Sequence, residues 1–130
     1  MLALAVAALL TPALPAPLGG HYAGPSSTGH QVRVWVSSLH HYVGPRDVGP
    51  IHVTCADPAN PPRDEPSHSV FHFHFGPLRR FSGSGFFTSG NAFTITGHFT
   101  STKRLVGTVK LTTRDDCFGS VSFAARRLPR

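Results

Sequence analysis

The sequence predicts an all-β domain: an antiparallel β-sandwich, or a small barrel-like sandwich, of about seven to eight strands with one disulfide. Phenylalanine and histidine alternate strictly over residues 71–75, and a period of two is typical of a strand with one buried and one solvated face. The same period recurs along most of the chain, and no helical period follows the N-terminal segment. Short strands at this spacing occur in immunoglobulin-like sandwiches and in small barrels.

The N-terminal segment resembles a secretory signal. Residues 1–10 are apolar throughout, and small residues follow at Thr11 and Ala13. An apolar run of this length is too short to span a bilayer but suits the core of a signal peptide. We predict a signal peptide-like segment at 1–16, a single domain at 17–130, secretion and no transmembrane span. The usual basic residues are missing, so an upstream start or an apolar helix packed on the domain stays open.

The chain contains two cysteines, Cys55 and Cys117. An even number behind a signal-like segment favours a disulfide over a metal pair. Neither cysteine has a CxxC partner, which disfavours zinc-ribbon and thioredoxin-like proteins. Closing so long a span would stabilise a small domain by roughly 4 kcal/mol. The alternative is that both cysteines are reduced and buried in the core.

The first half of the domain predicts a hairpin and then alternating loops and strands. Residues 20–24 and 31–36 flank a Ser/Thr/Gly turn, with three valines on one face and Arg33 and Trp35 on the other. Glycine–proline pairs predict a loop over 37–50. A strand follows at 51–55, and four prolines predict an exposed loop over 57–66.

The second half begins with the Phe-His strand at 71–75, after which we predict a further loop over 76–85. Residues 86–88 and 92–100 form a hairpin around Ser89-Gly90-Asn91. Two more strands follow at 105–112 and 119–125. Inward-facing aromatic side chains would supply much of the core: Phe71, Phe73, Phe75, Phe93, Phe99 and Phe123.

Nine histidines are the most abundant residues capable of chemistry. His72 and His74 share an outward face with Cα atoms about 7 Å apart, and strand parity also places His52 and His98 outward. Two such imidazoles could converge on one ion, and a third from a neighbouring strand would complete a Zn²⁺ or Cu²⁺ site. The alternative is that these are solvated surface positions. We expect no cofactor, with Zn or Cu as the alternative.

Charge is distributed unevenly. Residues 79–130 hold nine arginines and lysines against two aspartates, whereas residues 1–78 hold three arginines against four acids. A basic surface attracts phosphates, anionic lipids and acidic polymers. Because the protein is predicted to be exported, we expect an anionic envelope polymer or a protein as partner, no nucleic acid, and a monomer. The alternative is that these charges only keep the protein soluble.

Catalytic signals are weak. Asp64-Glu65 and Asp115-Asp116 are adjacent carboxylates in turns, where neighbouring side chains rarely converge, and no nucleophile elbow occurs. Trp35, Tyr22 and Tyr42 would form an exposed aromatic patch for a carbohydrate or peptide, unless Trp35 covers a layer of the core. We predict no enzymatic activity.

Several segments resemble small exported proteins of high-GC Gram-positive bacteria, a family without a characterised function. The resemblance spans residues 20–127 and lies in 20–24, 27–29, 97–101, 107–109 and 117–126. It implies export, a β fold whose cysteines tie the sheet to the last strand, and no catalytic residue. The sequence therefore predicts an exported, non-enzymatic binding or envelope-associated domain. A surface His-mediated metal-binding protein is the alternative, and a secreted hydrolase is least favoured.

Overall fold

The computed structural model describes residues 15–129, and these form an antiparallel β structure without α-helix. The predicted all-β class and the Cys55–Cys117 disulfide are confirmed. The predicted signal peptide-like segment at 1–16 falls almost wholly outside the described residues. None of the helices in the described part is long and apolar enough to cross a membrane.

The described residues contain ten strands rather than seven to eight. They are β1 (Gly20–Pro25), β2 (Gln31–Ser37), β3 (Tyr42–Asp47), β4 (Ile51–Cys55), β5 (Arg63–Glu65), β6 (Phe73–His74), β7 (Arg80–Phe86), β8 (Ala92–Ser101), β9 (Arg104–Thr112) and β10 (Cys117–Arg127). A short 3-10 turn at Pro77–Arg79 precedes β7.

Eight of the strands wrap into a nearly closed barrel. Their order is β6-β3-β2-β1-β10-β9-β8-β7, and an isolated bridge between Phe75 and Phe81 joins the two ends. Strand β4 pairs with the beginning of β10 and with β5, off this path. The architecture therefore corresponds to the barrel-like form of the prediction, and its closing seam between β6 and β7 is the most weakly paired one.

The core follows the alternation expected from the sequence. Inward positions of β2, β8, β9 and β10 are buried, except for half-buried glycines, and their outward neighbours are exposed or half-buried. Five of the six predicted core phenylalanines are buried, at 9% exposure or less. The exception is Phe71, which is 40% exposed because β6 is only two residues long and Phe71 precedes it.

Three predicted loops contain strands, whereas the predicted strand at 86–88 is wrong beyond Phe86, where β7 ends; together these differences give ten strands. The loop at 37–50 contains β3, the end of the loop at 57–66 forms β5, and the loop at 76–85 contains β7. Pro45 is tolerated in β3 because it adjoins a bulge and lies beyond the two residues that pair with β6. Proline is confined to such bulges and edges since it cannot donate to the ladder.

Glycines in the barrel wall are covered by phenylalanine rings. A Cβ on Gly83 would lie 2.0 Å from the Phe73 ring, and one on Gly97 would lie 2.5 Å from the Phe81 ring. Because a large ring occupies the space that each missing side chain leaves, the Ser-Gly-rich β7 packs as a barrel strand despite its loop-like sequence.

Candidate functional site

The predicted histidine ligands lie in three separate places. His72 and His74 share the outer face beside β3, where their rings contact the aromatic rings of Trp35 and Tyr42. His52 lies on β4 with its Nδ1 3.1 Å from Asp64 Oδ1, and His98 lies on the outer face of β8. Within residues 15–129, no group of three His, Cys, Asp or Glu side chains is placed to hold a metal ion. A Zn or Cu site therefore remains a prediction.

Three arginines instead line up across the outer face of the barrel. Ala23 on β1 is opposite both Arg33 on β2 and Arg126 on β10, and Arg126 is opposite Arg104 on β9. Directly opposite residues of antiparallel strands project on the same face. The result is a row, Arg33–Ala23–Arg126–Arg104, in which the three arginines are exposed and Ala23 is only 7% exposed.

A β-bulge adds a fourth arginine to one end of the row. Arg33 is opposite Asp47 while the next residue, Val34, is opposite Pro45, so Arg46 is the extra residue of β3. A bulge bends its strand and re-aims a side chain. Arg46 consequently lines the same depression as Arg33.

These residues border a continuous open groove. One depression of about 440 Å³ is lined by Arg33, Arg46 and His21, and an adjoining one of about 620 Å³ is lined by Arg104 and Arg126. The two share part of their lining: Ala23, Gln31 and Leu128. We call this feature the arginine groove and define it by Arg33, Arg46, Arg104 and Arg126.

The arginine groove has no ion pair within the described part of the protein. Asp47 lies directly opposite Arg33, but its carboxylate accepts hydrogen bonds from Gly49 N–H and the Ser67 hydroxyl and lies 3.6 Å from His68. None of its four arginines forms an ion pair with a described residue, and no acidic side chain lines either depression. Like charges directly opposite on neighbouring strands destabilise a sheet. The planar guanidinium donates paired hydrogen bonds to carboxylates and phosphates, so the groove is equipped to bind anions.

A second surface groove is chemically different. It has a volume of about 870 Å³ and lies over strands β7–β10, where Arg80 and His98 are its titratable residues. Much of its remaining lining is hydroxylated: Ser26, Ser27, Ser82, Thr96, Thr108 and Ser122. With a single arginine, this groove offers an anion far less than the arginine groove does.

Another arginine, Arg63, serves a structural purpose next to the disulfide. Its Nε lies 2.6 Å from Glu65 Oε1 and its Nη2 lies 2.8 Å from Asp115 Oδ1. Its Nη1 also lies 3.4 Å from Cys117 Sγ and 3.7 Å from Cys55 Sγ. We call these five residues the Arg63 cluster. Of the adjacent carboxylates in the sequence, Asp115 and Glu65 therefore bind Arg63, whereas Asp64 faces His52.

Protonation equilibria in the Arg63 cluster reflect this pairing. Hydrogen bonds from the Arg63 guanidinium, and then from the Thr113 hydroxyl, lower the pKa of Asp115 to about 2. Hydrogen bonds to Asp115 and Glu65 raise the pKa of Arg63 above its ordinary value. Both shifts favour the charged forms, so the Arg63–Asp115 pair is ionised over the physiological range.

The arginine groove is not visible when charge is counted by position along the chain. The groove takes Arg33 and Arg46 from the acidic first part and Arg104 and Arg126 from the basic second part. Alternation did place Arg33 outward, but only the pairing of β1 with both β2 and β10 brings the two parts together. No protein-family model, curated protein or solved structure matches the chain, so the site is defined by its own geometry and charge.

Proposed function

We propose that this protein is an exported, non-enzymatic binding domain that holds an acidic polymer in the arginine groove. The observation that carries the proposal is the row Arg33–Ala23–Arg126–Arg104, with Arg46 beside it. Its three arginines form no ion pair with the residues that the structure describes. The groove crosses several strands, so it suits an extended chain of anionic groups better than a single small anion. Export is supported by the signal-like N-terminus and by the disulfide.

Electrostatic repulsion between arginines of the row also supports a binding role. Arg104 and Arg126 are directly opposite each other, an arrangement that disfavours the fold when no anion lies between the guanidinium groups. The described acids that form ion pairs contact His52, His68 or Arg63 and not the groove. An acidic polymer would supply the missing counter-charges and release the repulsion.

The test measures binding of the disulfide-intact protein to polyphosphate, polygalacturonate and polyglutamate by calorimetry, with neutral dextran as the uncharged polymer. The variant is Arg33→Ala/Arg126→Ala. Its matched control is Lys110→Ala/Arg114→Ala, which removes the same net charge outside the groove. We expect the groove variant to lose about tenfold in affinity or more, since charge-assisted hydrogen bonds are the stronger class, and the control to lose about twofold at most.

Two outcomes would overturn the proposal. If no acidic polymer binds more tightly than dextran, the groove has no polymer ligand of this class. If the groove variant and the control lose affinity equally, the attraction comes from the net charge of the protein and not from the groove.

Binding should also weaken steeply with salt, because exposed charges are screened over about 10 Å at 0.1 M ionic strength.

A further inference from the structure

We infer that the acidic polymer is a polysaccharide, whose sugar rings stack on an aromatic strip beside the arginine groove. The strip consists of Trp35 on β2, Tyr42 on β3, His74 on β6 and His72, which immediately precedes β6. The Tyr42 ring centroid lies 4.1 Å from that of His74 and 6.1 Å from that of His72, which in turn lies 5.5 Å from Trp35. This inference rests on the proposed function and specifies the ligand of the same site.

The four rings form an outward surface and not a layer of the core. Trp35 and Tyr42 are half-buried, and His72 and His74 are exposed. Close packing of the strip depends on Gly44, because a Cβ at that position would lie 2.6 Å from the His72 imidazole. The absence of a side chain at Gly44 lets the imidazole settle against β3, next to Trp35, which is opposite Gly44 on β2.

The strip is continuous with the arginine groove. His21, which lines the groove, is directly opposite Trp35. Arg33 lies two residues before Trp35 on the same strand and the same face. A single bound chain can therefore contact the guanidinium groups and the aromatic rings together.

The chemistry of the strip fits sugar rings. A pyranose has an apolar face of C–H groups, which stacks on aromatic rings, and a rim of hydroxyls that need hydrogen-bond partners. Rings with polar tips are suited to surfaces that are apolar in one part and wet in another. The indole N–H, the phenol hydroxyl and the two imidazoles of the strip form no side-chain hydrogen bond with any residue that the structure describes. Polyphosphate has no ring to stack, and polyglutamate has only flexible aliphatic side chains.

Trp35 is the only tryptophan of the chain, so its fluorescence reports directly on the strip. We would titrate the disulfide-intact protein with polygalacturonate, polyglutamate and polyphosphate at equal anionic charge and equal ionic strength. We expect polygalacturonate to shift the Trp35 emission and to bind most tightly. The other two polymers should bind in the arginine groove with little effect on the emission.

The variants are Tyr42→Ala and the exposed-site variant His74→Ala, with Phe118→Ala as the control because Phe118 is exposed and lies outside the strip. Thermal melts verify that each variant folds, and His74→Ala keeps the test valid if Tyr42→Ala does not. We expect each strip variant to weaken polygalacturonate binding about fivefold. Binding of polyglutamate and polyphosphate, and all binding by Phe118→Ala, should be unchanged.

The outcomes separate this inference from the proposed function. If the three acidic polymers bind equally and no strip variant discriminates among them, the groove binds anions and the sugar inference is wrong. If the strip variants weaken polyglutamate and not polygalacturonate, the occupant is an acidic peptide and the inference is also wrong. If none of the three polymers binds, both the proposed function and the inference fail.

Discussion

Two sets of arginines in this protein have opposite surroundings. Arg63 is held by Glu65 and Asp115 and contacts both sulfur atoms of the disulfide, whereas the arginines of the groove have no ion-pair partner among the described residues. A guanidinium whose donors are already used stabilises the fold. A guanidinium whose donors face solvent beside other cations is available to a ligand and costs stability until the ligand arrives.

The largest expected effect concerns the disulfide within the Arg63 cluster. Replacing both cysteines, Cys55→Ala/Cys117→Ala, should lower the free energy of unfolding by about 4 kcal/mol, because the bond spans 62 residues and restricts the unfolded chain. Urea unfolding of the two proteins measures the difference. Polymer affinity at low urea should be unchanged, since the groove lies on other strand pairs. A loss of affinity in the folded variant would contradict this separation of the two regions.

Removing the charge of Arg63 should have a smaller effect of the same sign. Arg63→Met leaves Glu65 and Asp115 without their shared cation, so we expect the Tm to fall by about 3 °C. Arg63→Lys should restore only part of this, because one ammonium cannot reproduce the several fixed contacts of the guanidinium. Thermal melts at neutral pH check both variants. An unchanged Tm for Arg63→Met would mean that the ion pairs of the Arg63 cluster do not stabilise the fold.

The loss of stability at acid pH should depend on the same cluster. Asp115 has a folded pKa of about 2 against an ordinary value of 3.8, so its ionised form stabilises the fold at pH above about 4. This contribution should disappear as the pH falls from about 4 to about 2, because the unfolded state then binds a proton that the folded state does not. Melts of the wild type and of Arg63→Met across this range should converge at the acid end. Parallel curves would show that the pKa of Asp115 is not lowered by Arg63.

Most of the fold could be predicted from local pattern, because alternation directly reports which side chains face the core. The strands that were missed, β3, β5 and β7, carry proline, charge or glycine where a strand normally has apolar side chains. Gly83 shows the reason: the ring that fills its place belongs to Phe73, ten residues earlier in the chain. A short sequence window around Gly83 does not include Phe73, whose ring covers it.

The arginine groove could not be predicted for a related reason. Its charges are separated by more than ninety positions between Arg33 and Arg126, and they meet only because β1 lies between β2 and β10. The position of Arg46 depends further on a β-bulge, which no residue type in the sequence predicts. The aromatic strip could be predicted in part, since alternation placed Trp35 outward and His72 with His74 on one face. The predicted aromatic patch of Trp35, Tyr22 and Tyr42 is wrong for Tyr22, which is 1% exposed and lies in the core.

The smallest expected effect tests whether the groove costs stability. Arg126→Gln keeps a long side-chain stem but removes the charge opposite Arg104, so we expect the free energy of unfolding to rise by about 0.2–1 kcal/mol at low salt. High salt should abolish the gain, because screening already weakens the repulsion in the wild type. Saturating acidic polymer should reverse it, because the ligand stabilises the wild-type groove more than the variant. Urea unfolding at low salt, at high salt and with saturating polymer tests this. If Arg126 instead stabilises the fold by itself, Arg126→Gln should lower the free energy of unfolding under all three conditions.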